Sequence, residues 1–336
     1  MKPMRILHSL LSAVPLLLAL PVAAEPLERR ICVFDVAGSA GPTMQAMQDW
    51  RAEALDWGLD ARLVPFTNEG IAAEELQSGR CDAALMTGIR TRGFNRYTGT
   101  VDSLGGIPDD DHLRTVLRVI AHPSQAEHMR SGSYEVMGIA PAGAAYIFVN
   151  DRRINTLPRA AGKRVAVLEF DPTQAKMVAQ VGATPVTSDL TNFSSRFNNG
   201  VVDVIAAPLA AYNALELYRG LSPDGAIIDY PLAQISMQLV GRADRIPADI
   251  AQRSREYFFE HFDDILEVLN REAEHVNPDW FEPIPEEDMQ EYEVLLQDSR
   301  VQLREEGYYD PEMLTLQRRV RCRLDSGRSE CVDPVE

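Results

Sequence analysis

A pattern written twice constrains this chain most. In "LQSGRCDAALMTG" (Leu76–Gly88) and again in "FNNGVVDVIAAP" (Phe197–Pro208), an amphipathic stretch ends in Gly and two residues follow. Then comes an Asp, and then an apolar run that stops at Gly or Pro. Gly closes a helix in the left-handed conformation without steric cost, and the next strand begins within two residues. The repeat extends upstream. "RRICVFDVAGSAGPTMQAM", "ARLVPF" and "NEGIAAEELQSG" precede the first copy; "GKRVAVLEFDPTQAKMVAQVGA", "TPVTSD" and "LTNFSSRFNNG" precede the second. Each half reads β-α-β-α-β, and apolar runs without alternation suit buried parallel strands. Two α/β lobes of similar plan follow, each a mostly parallel sheet flanked by helices. Asp82 and Asp203 stand at the strand starts, away from the carboxyl edge where ligands bind, so a turn or capping role is expected for both.

The length of 336 residues suits two such lobes better than one core. Residues 1–24 read as an export signal: Lys2 and Arg5, the apolar "ILHSLLSAVPLLLALPV", and "VAA" ending at Ala24, the expected cleavage point. The mature protein is therefore expected outside the cytoplasm. No Cys sits at that point, so no lipid anchor is expected, and no later run is long and apolar enough to span a bilayer. Losing Lys2 and Arg5 moves the formal charge from -17 to about -19. Without a basic stripe, nucleic acid is excluded as a partner. The acidic surface reads first as a soluble one, although it also suits a cationic ligand.

Export permits disulfides. Of the four cysteines, Cys322 and Cys331 enclose the short polar loop "RLDSGRSE", which leaves Cys32 with Cys81. The fold gives this second pair an independent reason. In a lobe of this kind the first strand lies between the second and third. Cys32 near the start of strand one and Cys81 just before strand three then stand about 5 Å apart between chains. No CxxC or Cys/His cluster accompanies them, so neither a metal nor a cofactor is expected.

The ligand-facing loops follow the strands. "MTGIRTRGFNRYTG" holds Arg90, Arg92, Asn95 and Tyr97; "VLEFDPTQ" holds Glu169, Phe170 and Asp171; "AAPLAAYN" holds Pro208 and Tyr212. Asp35 closes the first strand. Ser39 lies in "GSAGPT", whose N–H groups could cradle an anion at a helix start, although the Lys of a phosphate loop is missing. An arginine fork reads a carboxylate, whereas Asp35, Glu169 and Asp171 with Tyr97 and Tyr212 suit an amine, and a zwitterion uses both. The histidines are scattered, "PDDDH" reads as a solvated turn, and no nucleophile stands with a base. No catalytic constellation emerges.

"GAAYIFVNDRRI" and "AIIDYPLAQISMQLVGR" are the expected crossings between lobes. A helical tail follows. Ile250, Phe258, Phe262, Ile265, Leu266 and Leu269 recur at helical spacing between Pro247 and Val276. "NPDWFEPIP" breaks that helix, a second carries Met289, Tyr292, Leu295, Leu296 and Leu303, and a third runs from "YYDP" toward Cys322. The predicted division is 25–147 with 232–336 as lobe one and its C-terminal helices, and 148–231 as lobe two. The tail is expected to pack back on lobe one and bridge the hinge.

The second half, with "LPRAAGKRVAV", a helix and "NNGVVDVIAAP", resembles the TRAP-transporter-type (DctP-like) periplasmic solute-binding proteins. The first half, "GRCDAALMTGIRTRGFNRYTGTVDSLGG", resembles more closely a proteobacterial solute-binding group, some of whose members carry efflux-pump (AdeT-like) labels. The resemblance implies a type II two-lobed periplasmic-binding-protein fold. It implies a monomer that captures a small polar organic solute between its lobes, without chemistry, for uptake or sensing with a membrane transporter. An accessory role in multidrug efflux, with a pump component as partner, is the alternative, and an exported enzyme the third reading. The resemblance breaks at one informative place: the arginine that grips the ligand carboxylate in TRAP receptors falls here on Ala166, with Arg164 two residues earlier. The family's organic-acid specificity therefore does not carry over, and organic acid, zwitterion and amine all stay open.

Overall fold

The computed structural model describes residues 25–336. The export-signal reading of 1–24 and its cleavage after Ala24 lie outside the described residues. The first repeat forms as its pattern dictates: β1 (Leu27–Phe34), α1 (Pro42–Asp56), β2 (Leu59–Phe66), α2 (Glu69–Gln77) and β3 (Ala83–Thr87). Pro42 opens α1 at its first turn, and Asn68 caps α2 by accepting from the Ile71 N–H. Gly79 and Gly200 end their helices at φ +73° and +68°, as a left-handed stop requires.

Short helices α3 (Gly88–Thr91) and α4 (Arg96–Gly99) follow, then α5 (Asp110–Ala121). "PDDDH", read as a solvated turn, is instead the start of α5. Asp109 caps it through the His112 N–H at 2.9 Å, with Asp110 and Asp111 in its first turn. After β4 (Arg130–Ser131), β5 (Tyr134–Val149) crosses to the second half, starting nine residues before the expected strand. The second repeat runs α6 (Leu157–Ala160), β6 (Arg164–Leu168), α7 (Pro172–Gln180), β7 (Thr184–Ser188), α8 (Phe193–Asn198) and β8 (Val204–Pro208). Then α9 (Tyr218–Leu221) leads into the return strand β9 (Ala226–Arg242).

The two halves do not form two separate sheets. One sheet runs β2-β1-β3-β9-β5-β8-β6-β7 through both. The repeats contribute parallel neighbours at its flanks, but β3–β9, β9–β5 and β5–β8 pair antiparallel in the middle. The reason is length: β5 and β9 have 16 and 17 residues, run in opposite directions and pair with each other along most of both. Their ladder shifts register at Val136/Gly138, Pro141/Gly143 and Ala145/Ile147, the last of these where the strands pass from lobe one to lobe two.

Lobe one buries both faces of its strands. Ile31, Val33 and Leu85 pack with Trp50 of α1 on one face, while Cys32, Ala84 and Met86 pack with Leu76 and Leu117 on the other. Both disulfides pair as anticipated, Cys32–Cys81 with a Cα separation of 6.0 Å and Cys322–Cys331 with 5.5 Å. Among the described residues, no helix is long and apolar enough to cross a membrane.

The tail departs from expectation in two respects. The single helix foreseen to Val276 breaks at His261 into α10 (Ala248–Glu260) and α11 (Phe262–Ala273). The segment after α11 also packs on the second half. β10 (Phe281–Glu282) pairs with Ile227 and Ile228, and Ile284 and Tyr292 pack with Val149, Val204 and Ile228. α12 (Glu286–Glu305) then reaches the other way, where its Leu296 and Leu303 meet Leu104, Tyr309 and Leu314. α13 (Pro311–Leu324) closes on lobe one, with Met313 and Val320 in its core.

Candidate functional site at the seam between the lobes

The loops after β3 and β6 meet face to face. Arg92 Nη1 lies 3.0 Å from Asp171 Oδ1 and 3.2 Å from Thr173 Oγ1, and its guanidinium stands 4.9 Å over the Tyr309 ring. Asp171 also caps α7 through the Thr173 N–H at 3.1 Å, so the carboxylate that meets Arg92 is fixed by the helix it starts. Arg90 is held from its own lobe: Nε donates to Glu69 Oε2 at 2.8 Å, and Glu69 Oε1 accepts the Thr87 N–H at 2.6 Å. From the other lobe, the Phe170 ring covers Arg90 at 3.6 Å from Cζ. Among the described residues, the two Nη atoms of Arg90 have no hydrogen-bond partner. Glu169 beside Phe170 is exposed, as is Ser39 in the turn after β1.

Behind Arg92 lies a buried polar layer on β9. Ser236 donates to Asp102 through Oγ (2.6 Å) and N–H (3.1 Å), and Gln238 Nε2 donates to Ser236 Oγ and to the Thr98 carbonyl. Burial pushes the Asp102 carboxyl up to about 7, against the opposing pull of the Ser236 hydrogen bonds and Arg92. Gly88 must be glycine here, because a Cβ would stand 2.3 Å from Ser236 Oγ and 2.6 Å from Asp102. The tail also clasps lobe two at α7: Lys176 pairs with Glu306 at 2.8 Å, and Ser299 Oγ meets Gln180 Oε1 at 3.1 Å.

Of the predicted site residues, Arg90, Arg92, Phe170 and Asp171 are brought together. Others are occupied elsewhere. Asp35 is buried and accepts the N–H groups of Ala37 and Met44, tying off the turn into α1. Asn95 caps α4 and donates to the His128 carbonyl. Tyr97 stacks on His128 with ring centroids 4.5 Å apart, its hydroxyl pushed up to about 12 by burial and by Asp310 and Glu312. Tyr212 lies in the core of the second half, its hydroxyl accepting from Trp280 Nε1 at 3.1 Å, while Pro208 ends β8 opposite Ala145. Ala166 packs against that same core, and Arg164 is spent on Asp203. Sequence reasoning missed Glu69, Asp102, Ser236 and Tyr309. A usable sign was present in "LAQISMQLV", where Gln234, Ser236 and Gln238 alternate inside an otherwise apolar strand.

Among the described residues, no group of three or more His, Cys, Asp or Glu is placed to hold a metal ion. The family model described as "Solute-binding protein AdeT 1/2" matches residues 31–334. The chain belongs to this family. It is 36% identical to the probable solute-binding protein AdeT1 of Acinetobacter baumannii over 299 residues, covering 89% of this chain and 98% of that one. The fold is that of TRAP periplasmic solute-binding proteins. The Desulfovibrio salexigens protein, solved with bound orotic acid, superposes with a TM-score of 0.69 at 16% identity over 89% of this chain and 99% of that one. The Haemophilus influenzae protein, solved with bound L-gulonate, gives 0.71 at 14% identity over 87% and 99%. This AdeT 1/2 member is a solute-binding protein by family, which favours that reading over the efflux-accessory one.

Proposed function

We propose that the protein captures a small carboxylate-bearing solute in the periplasm, between its two lobes, and presents it to a membrane partner. The observation that carries this reading is Arg90. Glu69 fixes its guanidinium through Nε and Phe170 covers it from the opposite lobe, while both Nη donors have no partner among the described residues. A pre-positioned fork of that kind suits a carboxylate, and closure brings Phe170 over it. The fold neighbours solved with orotic acid and L-gulonate hold organic acids; with Ala166 at the position of the TRAP arginine, Arg90 is the group that would take over that contact here. With Glu69 compensating Arg90 and Asp171 compensating Arg92, a monoanion or zwitterion fits better than a dianion, and the exposed Glu169 suits the amine of a zwitterion.

Titration calorimetry with orotate, L-gulonate, D-galacturonate and a set of amino acids tests the proposal. Binding of at least one carboxylate is expected, weakened about tenfold to a hundredfold in R90A. Absence of binding by every carboxylate, or equal affinity in R90A, would remove it.

A further inference from the structure

Glu336 inserts its carboxylate between two buried guanidinium groups. The side chains of Arg300 on α12 and Arg321 on α13 are 4% and 0% exposed, and that of Glu336 is 0% exposed. One Glu336 oxygen accepts from Arg300 Nε at 2.7 Å and lies 2.6 Å from its Nη2, and the other accepts from Arg321 Nη2 at 2.7 Å. Glu330 occupies the other side of the Arg321 fork at 2.6 and 2.7 Å. Both arginines also reach lobe one, Arg300 donating to the Leu104 carbonyl at 2.9 Å and Arg321 to the Gly106 carbonyl. Between those two residues, the Gly105 N–H donates to the Leu232 carbonyl of the crossing strand β9.

The strap leading to Glu336 has little else to hold it. Residues 332–335 are exposed, Val332 at 89%. The Cys322–Cys331 bond tethers the start of the strap to α13, Arg304 donates to the Val335 carbonyl, and Arg318 Nε donates to the main-chain oxygen of Glu336 at 3.0 Å. Removing the Glu336 carboxylate would leave Arg300 without its acid partner and Arg321 with only Glu330, in a place water hardly reaches. Such a place has the chemistry of a carboxylate receptor.

We propose that Arg300 and Arg321 form a carboxylate-binding site that Glu336 fills from within the chain, and that this internal ligand fastens α12 and α13 to the loop 104–106 beside the crossing strand. The test uses the full chain as E336A and E336Q, with melting temperatures read in sodium propionate and in sodium chloride at equal ionic strength. Both variants are expected to melt lower by about 5 °C or more. Propionate should restore E336A saturably, because it fits the vacated space, and chloride should not. E336Q should gain nothing, because its amide still fills that space. Wild-type melting in both variants would overturn the proposal. So would restoration of E336A by chloride as effectively as by propionate, or equal restoration of E336Q. If E336A does not fold, its refolding yield in propionate becomes the readout, and no gain there is equally fatal.

Discussion

Asp82 and Asp203 occupy matching places in the two lobes. Asp82 Oδ2 accepts the Arg30 N–H at 2.9 Å and its own N–H returns to the Arg30 carbonyl at 2.8 Å; Asp203 does the same with Arg164, at the same two distances. Each aspartate thus joins the start of the third strand of its repeat to the first. Asp203 adds a two-pronged pair with the Arg164 side chain, which holds its carboxyl below the ordinary range. A group with a lowered folded pKa contributes stability above its unfolded value of 3.8, and that contribution is lost as the pH falls through the folded value. D203N should therefore cost about 1 kcal/mol at neutral pH, discounted for the half-exposed Arg164, and less in acid. Urea unfolding at pH 7 and pH 3 checks it; an equal cost at both would contradict the assignment.

Breaking the seam should open the lobes. Arg92 and Asp171 are 11% and 3% exposed, so either partner left alone is a poorly solvated charge in the closed form. R92A and D171A are expected to raise the radius of gyration of the ligand-free protein in X-ray scattering, and the double variant to add little to either. Unchanged profiles would show that other contacts decide closure, with the Lys176–Glu306 clasp the next to break.

Asp102 predicts an opposite pH trend. Burial raises its folded pKa to about 7, so its favourable contribution is complete below 3.8 and disappears as the pH rises through about 7. The wild type should lose stability between pH 5 and pH 8, and D102N should lose less over that interval. Thermal melting across the range decides it, and parallel curves for the two proteins would rule out the raised value.

The Cys32–Cys81 bond closes a loop spanning a sequence separation of 49 and joins β1 to the start of β3. Its removal as C32S/C81S should cost about 2–4 kcal/mol on the chain-entropy account, measurable by denaturant unfolding with and without reductant. Peptide mapping without reduction should find Cys32 with Cys81 and Cys322 with Cys331; any crossed pairing would contradict the strand order.

Much of this architecture was legible because helix stops and buried parallel strands leave local marks. Gly79 and Gly200, followed by Asp82 and Asp203, gave both repeats, and the loops carrying Arg90, Arg92, Phe170 and Asp171 followed from strand polarity. The errors have a common source in partners distant along the chain. Nothing near Tyr97 says that it stacks on His128, and nothing near Asp35 excludes a ligand, although its carboxylate is spent on the turn into α1. Nothing in the sequence around Glu69 places Arg90, 21 residues further on, beside it. The single sheet was hidden for the same reason, since pairing between β5 and β9 joins residues about a hundred positions apart.

That sheet also determines where the molecule could recruit another strand. Its main path ends at β2 and β7, and an open edge with free N–H groups is a template for aggregation. In a parallel ladder, residues bonding inward alternate with residues facing out. The bonds from the Asp35 N–H to the Phe66 carbonyl and from the Glu169 N–H to the Ser188 carbonyl turn the even-numbered residues of β2 and β7 inward. Pro65 and Pro185 therefore sit in outward positions, one on each edge, where an incoming strand would look for a donor and find a ring instead.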